Sequence, residues 1–258
     1  MKKLLIASAL AAAFAAPAVA QTAAPADAPA SPHSLTANVG VFSSYRFRGI
    51  DQTYGKAALQ GGVDYAHESG LYVGNWNSNV EQGLYNGASL EMDFYGGYKA
   101  SIGDIGLDVG YLYYYYPKSG ALGLIKIDNG ELYAGASYGP VSAKVFYSTT
   151  NFFGLGKNTP TDSKGSYYLD LTGNFPLAEG LTLSAHYGYQ KIKNGKALGL
   201  RKDTVSDYRV GITKDFSGWA VGLNVVGTTE KQLFTTAESG FTEGAGKTGA
   251  VLSVSKTF

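Results

Sequence analysis

The chain of 258 residues has no cysteine, three histidines, eight prolines and only 16% charged residues. Zero cysteine excludes a disulfide framework and any thiolate metal site. Three histidines leave little material for general-base catalysis, and no phosphate-loop, dinucleotide or metal-ligand spacing is present. The formal charge is +1 and falls to −1 without Lys2 and Lys3, so no global field exists for nucleic acid and no nucleic-acid partner is expected. Beyond the first twenty positions no apolar run is long enough for a membrane-spanning helix. That excludes helical spans and leaves strands.

What is present begins with Lys2-Lys3, an apolar stretch from Leu4 to Ala16, and Ala18-Val19-Ala20. This is the pattern of a secretory signal peptide over residues 1–20, with a small-residue cleavage site. Residues 21–34 carry Pro25, Pro29 and Pro32 among Ala, Ser and Thr, and read as a flexible periplasmic linker. From Leu35 to Phe258 the pattern changes to period two, which on a pleated strand puts alternate residues on opposite faces. On the first strand Leu35, Ala37, Val39, Val41, Tyr45 and Phe47 share an apolar face, and Thr36, Asn38, Ser44, Arg46 and Arg48 a polar one. Stretches such as Leu107/Val109/Tyr111/Tyr113/Tyr115 and Trp219/Val221/Leu223/Val225 repeat it about twelve times. Each stretch is near the length needed to cross a bilayer at a tilt.

The links between these stretches alternate in length. Short ones fall at 67–70, 101–104, 139–140, 176–180 and 215–218; longer, Gly-rich ones fall at 49–55, 79–88, 117–129, 150–165, 191–204 and 229–246. Tight turns at one end and long loops at the other are the habit of an outer-membrane barrel, and an even strand number places both termini in the periplasm. The fold expected is therefore all-β: a transmembrane antiparallel up-and-down β-barrel of about twelve strands. Hydrocarbon cannot satisfy a bare strand edge, so the last strand must pair with the first. Tyr45, Phe47, Tyr115, Tyr167 and Tyr189 are expected to form an aromatic girdle at the long-loop end. Tyr65, Tyr98, Tyr138, Phe175, Trp219 and Phe258 form one at the other. Outer-membrane lipid and lipopolysaccharide are the expected surroundings, and the terminal strand ending at Phe258 is the expected handle for the barrel-insertion machinery.

The polar phase supplies the candidate pore lining: Arg46, Arg48, Asp64, Glu91, Asp93, Lys99 and Asp108, followed by Glu131, Lys144, Asp170, His186, Asp207 and Arg209. Arg46 and Arg48 rise towards the long-loop mouth on the first strand, with Glu91, Asp93, Glu131 and Asp170 facing them. As a hypothesis, opposed basic and acidic walls would set up a transverse field acting on polar solutes; the plainer alternative is that the charges pair and plug the barrel. The function expected is passive diffusion of small hydrophilic solutes, with no cofactor and no metal. The alternative is a non-conducting barrel serving as adhesin, receptor or envelope scaffold. An enzyme is disfavoured: only His186 could act as a base, and Ser184 beside it lacks an orienting third group on a lipid-facing surface.

Ser44-Tyr45-Arg46-Phe47-Arg48-Gly49-Ile50-Asp51-Gln52, Gly70 to Val80, and Glu91-Met92-Asp93-Phe94-Tyr95-Gly96-Gly97-Tyr98 resemble the conserved blocks of the proteobacterial TorF-family porins. Tyr113 to Pro117, Glu131 to Gly135, Tyr138-Gly139-Pro140, Asp207-Tyr208 and Leu252 to Phe258 extend the resemblance over nearly the whole mature chain. Asp51 departs from it, standing where Ser or Thr is expected. The resemblance implies an outer-membrane location and a channel role, and says little about the solute.

Overall fold

The computed structural model describes residues 31–231 and 244–258; the expected signal peptide and all but the last residues of the expected linker lie outside them. Among these residues fourteen strands follow one another: β1 His33–Phe42, β2 Arg46–Phe47, β3 Ile50–Asp51, β4 Ala58–His67, β5 Leu71–Asn79, β6 Leu90–Ile102 and β7 Ile105–Tyr115. The rest are β8 Asn129–Tyr138, β9 Val141–Ser148, β10 Tyr167–Pro176, β11 Leu181–Lys191, β12 Thr204–Phe216, β13 Trp219–Thr228 and β14 Gly249–Thr257. Twelve of them form one closed antiparallel barrel, in which each pairs with its neighbour in the chain; β2 and β3 pair only with each other. Closure is made by β1 against β14, continued by Ala37 N–H to the Phe258 carbonyl at 3.1 Å and the reciprocal bond at 2.8 Å. No strand of the barrel is left with a bare edge, so its backbone polar groups need nothing from lipid.

Alternation decides which way each side chain points. Leu35, Leu59, Val73, Val109, Leu171, Val225 and Leu252 stand exposed on the outer face, which suits hydrocarbon and would be costly in water. Their in-sequence neighbours point inward. Tyr65, Tyr98, Tyr138, Phe175, Trp219 and Phe258 ring the turn end, and Tyr115, Tyr147, Tyr167 and Tyr189 stand at the long-loop ends of their strands. Both ends of the described chain lie at the turn end, His33 beside His67 and Thr257 beside Asn38. His33, expected in the linker, is the first residue of β1, and its Nδ1 lies 2.8 Å from the Tyr65 hydroxyl.

The abundance of glycine and tyrosine has a packing reason inside the barrel. Inward tyrosine rings lie flat across glycines of neighbouring strands: a Cβ on Gly97 would stand 2.6 Å from the Tyr72 hydroxyl, and one on Gly188 would stand 2.0 Å from that of Tyr168. Only glycine leaves room for the ring.

One expectation about the first strand fails. Alternation from Leu35 to Phe47 suggests one strand, but β1 ends at Phe42 and residues 43–57 turn into the barrel, carrying the β2–β3 hairpin. Tyr45 and Phe47 are not members of a lipid girdle. They are 2% and 9% exposed, in an aromatic core inside the cylinder with Trp76, Tyr114 and Tyr116. A period of two does not separate a strand that continues along the wall from one that folds back into the lumen.

Candidate functional site

The β2–β3 hairpin turns on Arg48 and Gly49, whose φ values are 46° and 78°. A two-residue turn with both centres at positive φ matches strand twist, and normally takes Asn-Gly or Asp-Gly. Arginine in the first place is locally unfavourable, so its side chain has work elsewhere. Asp51 shows why that loop tolerates the departure from Ser or Thr: its carboxylate accepts from the backbone N–H groups of Thr53 at 3.1 Å and Gly55 at 2.9 Å, and pairs with Arg46 at 3.2 Å.

From its root on β1 the hairpin crosses the lumen. Arg48 Nη1 and Nη2 donate to the two Glu131 carboxylate oxygens at 3.2 and 2.6 Å, and Nη1 also donates to Gln190 Oε1 at 2.7 Å. The guanidinium lies 4.2 Å from the Tyr168 ring centroid and 5.4 Å from that of Phe146. These contacts come from β8, β9, β10 and β11, the wall opposite β1. Burial pulls the guanidinium pKa down, but Glu131 more than compensates and holds it above its ordinary value, so Arg48 stays charged. The tip has no spare room: a Cβ on Gly49 would meet Thr228 Cγ2 at 2.4 Å and Asp207 Cβ at 2.8 Å.

Along the hairpin, the Tyr45 hydroxyl donates to Glu91 Oε1 at 2.6 Å and the Tyr116 hydroxyl to Oε2 at 2.7 Å. Burial, then the Glu91 and Asp93 carboxylates, raise the Tyr45 phenol well above its usual pKa and keep it a neutral donor. Phe47 packs edge-on to Tyr114 and Phe153, with centroids 5.5 and 5.9 Å away. Asp93 is different. It is 1% exposed, and neither carboxylate oxygen has a hydrogen-bond partner among the described residues.

Towards the turn end the lumen is lined by charged and polar side chains. Lys144 Nζ bonds Asp108 at 2.8 Å, Tyr72 donates to Asp108 at 2.5 Å, and Tyr95 donates to Asp64 at 2.5 Å. His186 lies between two acids, with Nε2 2.9 Å from Asp207 and Nδ1 3.5 Å from Asp170; Thr172 Oγ1 is 2.9 Å from Nδ1. The Lys99 ammonium lies over the Tyr72 ring at 5.3 Å. Arg209 shares this level, its Nε buried without a hydrogen-bond partner among the described residues.

The structure thus gathers the sequence-derived candidates into two groups. Arg48, Glu91, Asp93 and Glu131 meet at the long-loop end; Asp64, Lys99, Asp108, Lys144, Asp170, His186 and Arg209 occupy the middle and turn end, and Asp207 joins the two, lying against the Gly49 tip and 2.9 Å from His186. Arg46 stays beside the wall, donating to the Lys247 carbonyl at 2.8 Å. Opposed basic and acidic walls are not found. Arg46 and Arg48 sit on the folded-in hairpin instead of the first strand, and Arg48 is brought against the acid it was expected to face. Sequence reasoning missed the inward aromatics Trp76, Tyr114, Tyr116, Phe146 and Tyr168, and the acceptor Gln190. The signal was available: aromatics on the polar phase, as in Tyr111 to Tyr116, where both phases are aromatic, have no place in a lumen that only holds water. No group of three or more His, Cys, Asp or Glu side chains is placed to hold a metal ion among the described residues.

Residues 26–258 match the model of a bacterial protein family of unknown function, Gcw_chp. The chain belongs to that family. The name TorF, suggested by the motifs, is not part of that description and remains a resemblance. A search of curated proteins finds no match. Among solved structures, a KdgM porin superposes with a TM-score of 0.53 at 8% identity, covering 86% of this chain and 99% of its own. A NanC porin gives 0.55 at 7% identity, covering 87% and 99%. At such identities the likeness is one of fold: this member of Gcw_chp has the barrel architecture of porins.

Proposed function

We propose that the protein is an outer-membrane channel for passive diffusion of small hydrophilic solutes, without chemistry and without a cofactor. The observation that carries this reading is the interior of the turn-end half. A closed cylinder with an apolar exterior is lined there by Asn38, Ser142, Asn174, Thr182, Ser253 and Ser255, all partly exposed, where a packed core would bury apolar side chains. In this reading both termini face the periplasm, the long loops face outward among lipopolysaccharide, and the strand ending at Phe258 is what the insertion machinery engages. Asp64, Lys99, Asp108, Lys144, Asp170, His186 and Arg209 line the wide part of the passage, and the hairpin with Arg48, Glu91, Asp93, Glu131 and Asp207 narrows its outer mouth.

A second reading has its own support: the hairpin crosses the lumen and packs against the opposite wall, as a non-conducting receptor or scaffold would allow. Single-channel recording in planar bilayers separates the two. Discrete conductance steps from the purified barrel are expected, and a silent bilayer over a wide voltage range would favour the scaffold.

A further inference from the structure

The geometry points to the β2–β3 hairpin as a latched gate, with Arg48 as the residue that sets conductance and ion preference by clasping Glu131 and Gln190 across the lumen; this rests on the channel reading above. Three observations converge. Arg48 occupies a turn position that disfavours it, yet it spends its donors on the far wall. The backbone around it is shaped to dock, since Gly49 touches the β12–β13 wall so closely that no side chain fits. Beneath the hairpin, Glu91, Asp93 and Glu131 are each at most 1% exposed, and Arg48 is the only cation within hydrogen-bond distance of any of them among the described residues.

The latch works against a built-in opposing element. Asp93 has been taken out of water without a donor to replace it, beside two further acids. A buried acid in that state favours any arrangement that readmits water. When Arg48 lets go, water reaches Asp93 and one side of the mouth becomes a strand-borne cluster of three carboxylates with its only close cation removed. A mouth of that kind prefers cations. Closed and open forms therefore differ in ion preference as well as in width.

Variants of opposite sign test this in the full chain, purified from membranes and recorded in planar bilayers. Arg48→Asn improves the local turn while deleting the clasp, so the barrel and hairpin should still fold. Gly49→Ala dislodges the tip by its methyl group with no change of charge. Both should raise conductance severalfold and increase the ratio of cation to anion permeability. Asp93→Asn alone should lower the open fraction, and added to Arg48→Asn it should bring the permeability ratio back down. If the first two variants match the unaltered protein in conductance and ratio, the gate is wrong.

Thiol labelling gives a readout independent of conduction. The chain has no native cysteine, and Thr228, which lies against the Gly49 tip, is buried. Thr228→Cys should resist a water-soluble maleimide while the tip is docked, and adding Arg48→Asn should raise the labelling rate severalfold. An unchanged rate overturns the latch whatever the currents show. Silence of every variant in the bilayer removes the channel reading, while the labelling result still decides the latch.

Discussion

The two halves of the lumen are built from the same strands by the same alternation, yet they follow opposite physical rules. At the long-loop end Tyr114, Tyr116, Asn129, Glu131 and Ser148 are at most 1% exposed, and polar groups there, the Asp93 carboxyl and the Asn129 amide nitrogen apart, pair with one another. At the turn end Lys144 and Asp108 keep side-chain exposures of 20% and 17%, and their ion pair is wetted. One half is a protein core that happens to lie inside a barrel; the other is a lined vessel. The difference arises from one segment of chain, residues 43–57, which brings Tyr45, Phe47 and Arg48 into space that would otherwise hold water.

Thiol accessibility offers the sharpest way to break this contrast. With no native cysteine to interfere, Ser142→Cys should react readily with a water-soluble maleimide, whereas Ser148→Cys, six residues along the same strand and fully buried, should resist. Equal labelling of both would show that the long-loop half is as wet as the other. Next in size is Glu131→Ala, which leaves Arg48 buried without its acid and should cost about 3–5 kcal/mol in reversible urea unfolding. A loss below about 1 kcal/mol, the range of an exposed pair, would mean that Arg48 reaches water.

Asp93→Asn should act the other way, because the amide has no charge to give up when it is buried in a dry site. A gain of about 1–3 kcal/mol is expected by the same assay, and a clear loss would reveal an unseen partner. The smallest effect belongs to the wetted half. Asp108→Asn, which weakens the ion pair with Lys144, should change stability by about 1 kcal/mol or less; a penalty as large as that of Glu131→Ala would erase the distinction between the halves.

Much of this is legible in the residues. Strand number, the alternation of short and long links and the outward phase from Leu35 to Phe258 are local properties, since an apolar outer face and a closed sheet make the same demand on every strand. The inward phase is legible for the same reason, which is why Asp64, Glu91, Asp93, Asp108, Glu131, Asp170, His186 and Asp207 all point inside. Three expectations fall together: the lipid-facing places of Tyr45 and Phe47, the first-strand positions of Arg46 and Arg48, and the opposed charged walls. Each depends on where one segment leaves the wall. Ser43 carries that departure, its N–H bonding the Leu252 carbonyl at 2.8 Å and its hydroxyl accepting from Leu252 N–H at 3.0 Å. These are contacts with a residue more than two hundred positions away.

The sequence by itself determined that the chain makes an amphipathic sheet of about twelve strands that must close, because the pleat repeats every two residues and hydrocarbon tolerates no unpaired backbone. Only the tertiary structure decided what fills the cylinder. Whether an arginine faces an acid across water or grips it depends on contacts between residues far apart in the chain, and no local period records them.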